Sequence, residues 1–179
     1  MSVLFAFLLP FLLDASANSG VVPTAGHLPV PRDAGMLFYI QRSTNENTIV
    51  YALNPTEDGA ADQERPVNVF WRRYQEDGRR AELDWIQRTF AYGIKSKAVG
   101  NAHELRCVAY NKLPLYLYQP ATPNGNPMVL VTVNGHTLRL ERIYLQIDGG
   151  AFWTPNVTFI EFNGRDPVTG AAMLERIVP

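Results

Sequence analysis

The sequence predicts a mainly β domain, an antiparallel β-sandwich or flattened barrel of eight or nine strands with one α-helix at about residues 81–92. Three observations predict it. Runs of β-branched and aromatic residues recur along the chain between short clusters of turn residues. One Asn-Gly pair, Asn134-Gly135, divides two such runs, the pattern of a two-residue type I′ hairpin. A helical stripe occurs in only one segment.

The elements follow in order. Leu37–Ile40 and Thr48–Leu53, split by the polar run 43–47, predict a hairpin. Residues 54–66 (NPTEDGAADQERP) are acidic, polar and bounded by prolines, so they predict a loop. Val67–Tyr74 predicts a third strand. Leu83, Ile86, Phe90 and Ile94 share one helical face, and Gly93 is a candidate left-handed residue at the helix end. Lys95 suits the negative end of the helix dipole. Glu104–Tyr110 and Leu113–Tyr118 predict strands, and Pro114 places the second at an edge or a strand start. Residues 120–127 predict a turn-rich loop.

The Asn-Gly turn sets Val133 opposite His136, Val131 opposite Leu138 and Val129 opposite Leu140. That face is the core side, with His136 at its rim. Past Glu141 the apolar phase slips to Ile143, Leu145 and Ile147, which predicts a β-bulge or strand break near Glu141-Arg142. Val157–Phe162 is apolar on both faces and predicts a central strand. Ala172–Val178 predicts a last strand or a short helix. Short connections favour antiparallel pairing. A closed, lipocalin-like calyx is the alternative architecture, with the helix across one end.

Composition bounds the function. The chain has 179 residues, long enough for one domain with its own core. Sixteen basic and 17 acidic residues give a net charge of -1, which excludes a strongly basic nucleic-acid binder and an acidic disordered chain. No nucleic-acid partner is expected. The single cysteine, Cys107, rules out an internal disulfide framework.

Residues 3–13 (VLFAFLLPFLL) are apolar and uncharged, but short of the roughly 18–20 residues that span a bilayer. They match the apolar region of a cleavable signal, and Ala15-Ser16-Ala17 supplies small residues before a cut at Asn18. The basic residues that usually precede such a run are missing. The expectation is a signal peptide at 1–17, an extended leader at 18–35 and one β-rich domain at 36–179. It places the protein outside the cytoplasm, secreted or periplasmic, with no transmembrane span. The competing reading buries residues 3–13 as a strand or helix.

Chemical motifs are few. His27, His103 and His136 form no short-spaced pair, and with one cysteine no zinc spacing exists. No metal and no cofactor is expected. Cys107 could be a nucleophile, but its place between Leu105 and Ala109 on an alternating strand predicts a buried small hydrophobe. Neither a G-x-S-x-G elbow nor a Walker or Rossmann glycine pattern is present. Glu57, Asp58, Asp62 and Glu64 lack EF-hand spacing and predict a solvated loop.

Between residues 71 and 97 lie Arg72, Arg73, Arg79, Arg80, Arg88, Lys95 and Lys97. They form either an anion-binding surface centred on Arg72 or Arg73, or a solvated face paired with the acidic loop. Tyr116 and Tyr118 share a strand face, and Phe152-Trp153 sit in a loop. Such aromatics line a ligand groove or pack beneath a loop. Asn156-Val157-Thr158 is an N-glycosylation sequon, relevant in a eukaryotic secretory pathway.

The strings LFYIQRSTNENTIVYALN (37–54), PVNVFWRRYQEDG (66–78), ELDWIQRTFAYGIKSK (82–97) and VTFIEFNGRDPVTG (157–170) carry a resemblance. Over roughly residues 36–178 the chain resembles the family designated domain of unknown function 4833. The resemblance implies one domain and transfers no catalytic residue. Within these strings the polar and amphipathic groups Gln41, Arg42, Asn45, Asn47, Trp71, Arg73, Tyr92 and Lys95 stand out. Arg42, Asn45, Trp71, Arg73, Tyr92 and Lys95 are the ligand-binding candidates.

The expected function is a non-catalytic, exported binding or interaction module for a protein, glycan or small molecule. One alternative is a hydrolase of a glycan, ester or peptide, with acid and base groups among Glu82, Asp84, Glu141, Asp148 and His136. Another is a carrier of a small apolar ligand, which requires an internal cavity of about 300 Å³ or more.

Overall fold

The computed structural model describes residues 28–43, 45–119, 126–151 and 154–179. The expected signal peptide, most of the leader, His27, Phe152-Trp153 and most of the 120–127 loop lie outside the described residues.

β1 (Met36–Arg42) and β2 (Asn45–Leu53) form the predicted first hairpin. β3 (Val67–Arg73) and β4 (Arg79–Glu82) continue the antiparallel sheet outward. After the helix α1 (Trp85–Phe90) come β5 (Ile94–Val99), β6 (Ala102–Cys107), β7 (Tyr110–Tyr118) and β8 (Met128–Val133), a second antiparallel meander. β9 (His136–Ala151), β10 (Thr154–Arg165) and β11 (Ala172–Ile177) complete the chain. The last segment is therefore a strand. Nine strands follow the path β4-β3-β2-β1-β9-β8-β7-β6-β5, and β10 and β11 add to it through β9.

β9 organises the molecule. Its residue Arg139 pairs with Leu130 of β8 on one edge and Arg165 of β10 on the other. Farther along, Tyr144 pairs with Gln41 of β1 and with Glu161 of β10. β8 and β1 thus share one edge of β9 in succession, β8 antiparallel and β1 parallel. Two four-stranded sheets leave the same strand and face each other across the core. The result is the predicted mainly β, sandwich-like flattened barrel. Its path is open at β4 and β5, so it does not close into the alternative calyx.

The predicted bulge lies where the apolar phase slips. Leu140 pairs with Gly164 and Arg142 with Asn163, leaving Glu141 without a partner on β10. Leu138 and Leu140 point inward before it, and Ile143, Leu145 and Ile147 after it. Gly164 is required opposite the bulge, because a Cβ there would sit 2.0 Å from the Arg139 carbonyl oxygen. The Asn134-Gly135 turn has both residues at positive φ, 51° and 84°, the type I′ signature. Its register matches the prediction at Val133–His136 and Val131–Leu138.

The core fills the space between the sheets, with Phe38, Ile49, Tyr51, Leu105, Leu117, Val129 and Leu138 fully buried. The rings of Phe38 and Tyr51 stack at 4.4 Å. Burying each such side chain contributes about 1.5–3 kcal/mol. The outer face of the first sheet is tied to residues from the expected leader. Gln41 donates from Nε2 to the Pro29 carbonyl at 2.7 Å, and Asp33 forms an ion pair with Arg72.

Three local expectations change. The helix is shorter than predicted, because residues 79–82 pair with β3 instead. Asp84 caps the helix in a capping box with Gln87, while Leu83 and Ile94 fall outside it. Ile86 and Phe90 are 41% and 60% exposed, so their stripe is not a buried face. Gly93 is not left-handed. It is needed because a Cβ would meet the Arg88 carbonyl oxygen at 1.8 Å. β7 is an interior strand despite Pro114. The proline sits where β6 and β7 slip register and beyond the β8 ladder, so its missing N–H breaks no pair there.

Candidate functional site

The bulge at Glu141 sets three inward side chains of β9, Ile143, Leu145 and Ile147, along one wall of a cleft of about 900 Å³. Val157, Ile160 and Phe162 of β10 extend that wall. Ile40 and Tyr51 come from the first sheet, and Leu113 and Leu115 from β7. The segment that leaves α1, Phe90-Ala91-Tyr92, closes part of the rim. Arg42 is the one charged side chain among the described lining residues.

Strand alternation explains Arg42. Phe38, Ile40 and Arg42 lie on one face of β1, so the arginine ends an apolar row. Ser43 extends the β1–β9 contact past it, donating to and accepting from the Ile147 backbone at 3.0 and 2.9 Å. The backbone bearing Arg42 is therefore held at both sides.

The surroundings of Arg42 are aromatic. Its Nη1 donates to the Tyr92 hydroxyl at 2.6 Å. Its guanidinium lies 5.5 Å from the ring of Trp71 and 5.5 Å from the ring of Tyr92. Such cation–π contacts contribute about 0.5–2 kcal/mol each. Trp71 and Tyr92 meet edge to face at 5.0 Å. Arg73 also lies against Trp71, at 5.0 Å. The Arg42 Nε is buried and has no hydrogen-bond partner in the structure.

Two bonds fix Tyr92 and Trp71. The Trp71 Nε1–H donates to the Gln87 side chain at 3.0 Å, which ties β3 to the capped helix. The buried Tyr51 hydroxyl donates to the Tyr92 carbonyl at 2.8 Å. Burial pushes the Tyr92 phenol up, and the Arg42 charge partly opposes that. Burial pushes the Tyr51 phenol well up. Both phenols are neutral at physiological pH.

Four candidates chosen from the sequence thus meet in one cluster: Arg42, Trp71, Arg73 and Tyr92. Asn45 lines the cleft beside Arg42, its Cα partner across the hairpin. Lys95 does not join them. It is exposed on β5, opposite Arg106. Asn156 is exposed at the cleft and donates from Nδ2 to the Asp148 carbonyl at 3.0 Å. Gln41 and Asn47 serve the fold, bonding to Thr48 and Gln75.

The aromatic pair Tyr116 and Tyr118 lies on the other face of β7 from the buried Leu115 and Leu117, away from the cleft. Tyr51, Tyr92 and Tyr110 line it instead. Part of the basic stretch pairs with neighbouring acids rather than with the acidic loop. Arg79 pairs with Glu76 at 2.7 Å, and Arg80 and Arg88 with Glu82 at 3.0 and 3.6 Å. In the acidic loop, Asp62 accepts from the Glu64 and Arg65 backbone, which satisfies the turn internally.

The proposed acid and base groups are scattered. Asp84 caps α1, Glu141 pairs with Arg165 at 2.9 Å, and His136 pairs with Glu175 at 2.6 Å on the surface. None of Glu82, Asp84, Glu141, Asp148 or His136 lines the cleft. Cys107 does, but burial pushes its thiol up to about 12, which holds it in the weakly nucleophilic protonated form. Among the described residues no group of three His, Cys, Asp or Glu side chains could hold a metal ion. No helix among them is long and apolar enough to cross a membrane.

Sequence reasoning missed Tyr51, Leu113 and the β9 wall as site residues. The phase slip past Glu141 was the signal for the wall, since it turns Ile143, Leu145 and Ile147 inward. The family model described as Domain of unknown function (DUF4833) matches residues 38–176. No curated protein and no solved structure matches the chain significantly.

Proposed function

The chain belongs to the DUF4833 family, whose description assigns no activity, and we propose its function from the cleft: a non-catalytic binding module for a small, largely apolar ligand. The observation that carries this reading is the volume and chemistry of the space. About 900 Å³ lies within the range of about 300–1,000 Å³ that ligand pockets occupy, and apolar side chains dominate the lining. A few polar groups at one end suit orientation of a ligand better than bond cleavage.

The protein is proposed to work outside the cytoplasm, on the strength of the apolar run 3–13 and the small residues 15–17. Non-denaturing mass spectrometry of protein purified from its own cells tests both points. The expected result is a chain lacking residues 1–17 that carries an adduct of a few hundred daltons, released on activation. A bare chain that also fails to bind a fluorescent apolar probe overturns the binding reading. A chain of the full 20.1 kDa overturns the export reading.

A further inference from the structure

We infer that the cleft selects a single-tailed amphiphile with a carboxylate head, the head held by Arg42 and Tyr92 and the tail along the β9–β10 wall. The inference rests on the binding reading above and names the ligand class.

Among the described residues, the end of the cleft around Arg42 offers unspent donors. A guanidinium carries five N–H groups, and Arg42 spends one on the Tyr92 hydroxyl. Its Nε–H is closed off from the cleft, so the donors left for a ligand are those of Nη2 and the second N–H of Nη1. Among the described residues no carboxylate forms an ion pair with Arg42. Tyr92 accepts from Arg42, so its own O–H remains to donate. Asn45 commits its carbonyl oxygen to the Asn47 N–H at 2.7 Å, which leaves its NH₂. An acceptor-only head with one negative charge complements this set.

One charge also sets the head. Among the described lining residues Arg42 is the one cationic side chain. A carboxylate is fully neutralised there, whereas a phosphate would leave a second charge against an apolar wall. Arg73 contacts Trp71 but does not line the cleft, so it cannot supply the missing contact. The wall beyond Arg42 is apolar over Leu145, Ile147 and Val157, which suits an alkyl tail and offers a glycan or peptide few partners.

Calorimetry with dodecanoate, dodecan-1-ol and dodecyl phosphate tests the assignment on the purified protein. Dodecanoate is expected to bind about 10- to 100-fold tighter than the alcohol, the range for hydrogen bonds to a charged group. Arg42→Gln keeps much of the side chain's volume and removes the charge. It should erase that preference and bring acid and alcohol to equal affinity, as expected when the charge-assisted bonds are lost. Arg42→Lys keeps the charge but not the fork, and its preference should fall between the two. It decides the matter if Arg42→Gln does not fold.

Equal binding of acid and alcohol to the parent protein overturns the inference while the binding reading stands. So does a preference that survives both substitutions, or dodecyl phosphate binding tighter than dodecanoate. If none of the three binds, the binding reading itself falls.

Discussion

Tyr51, Tyr92 and Cys107 are three weak acids held in the interior beside one another's surfaces, and burial raises all three. A group whose folded value lies above its unfolded value binds its proton more tightly in the native state. Its stabilising contribution is complete below the unfolded value and is lost as pH rises through the folded one. For Cys107 that window runs from 9.0 to about 12. For the two phenols it opens near 10.0. Urea midpoints should therefore hold steady from pH 7 to about 9 and fall above it. Cys107→Ala should flatten the first part of the fall. An unchanged midpoint up to pH 11 would show that these side chains are solvated. The identities of the cluster residues were legible because polar groups stand out within apolar strings. Their contacts were not, since Arg42 and Tyr92 are 50 residues apart and no local pattern couples them.

Among elements, the β8–β9 hairpin and its bulge were the most legible, because both are written in local sequence. Asn-Gly demands left-handed backbone, and the apolar phase reports which way each side chain points. Gly135 sits at φ 84° with open space around a would-be Cβ. Gly135→Ala should thus cost backbone strain alone, about 1–2 kcal/mol, read as a lower urea midpoint at unchanged slope. Deleting Glu141 should leave the register intact. It removes the one residue without a partner, so Leu138, Leu140, Ile143, Leu145 and Ile147 then alternate regularly on one face, and the variant should still unfold cooperatively. A deletion variant with no cooperative transition would contradict the register. The helix was misjudged for a physical reason. Leu83, Ile86, Phe90 and Ile94 keep helical spacing, but residues 79–82 gain more by pairing with β3, and close contact at Gly93 ends the helix early.

At the scale of the whole molecule, β9 is a shared spine. The fold class could be read from strand composition, and the antiparallel pairs from short turns. The parallel pairing of β1 with β9 could not, because it joins Tyr39 to Arg142 with no turn to announce it. The cleft follows from that pairing, since it arises where the two sheets diverge along one strand. Sequence reading therefore singled out residues of the candidate site more readily than the space they enclose.

An open path of strands has two ends, and each exposes backbone that another chain could extend. At the β5 end the exposed positions include Lys95 and Lys97. Lysines on an edge strand repel a second copy before its backbone can dock. Lys95, outside the cleft, is then expected to guard solubility. The double variant Lys95→Val, Lys97→Val should keep its ligand affinity yet form oligomers as concentration rises, visible by light scattering. A variant that stays monomeric would mean that the edge is protected in some other way.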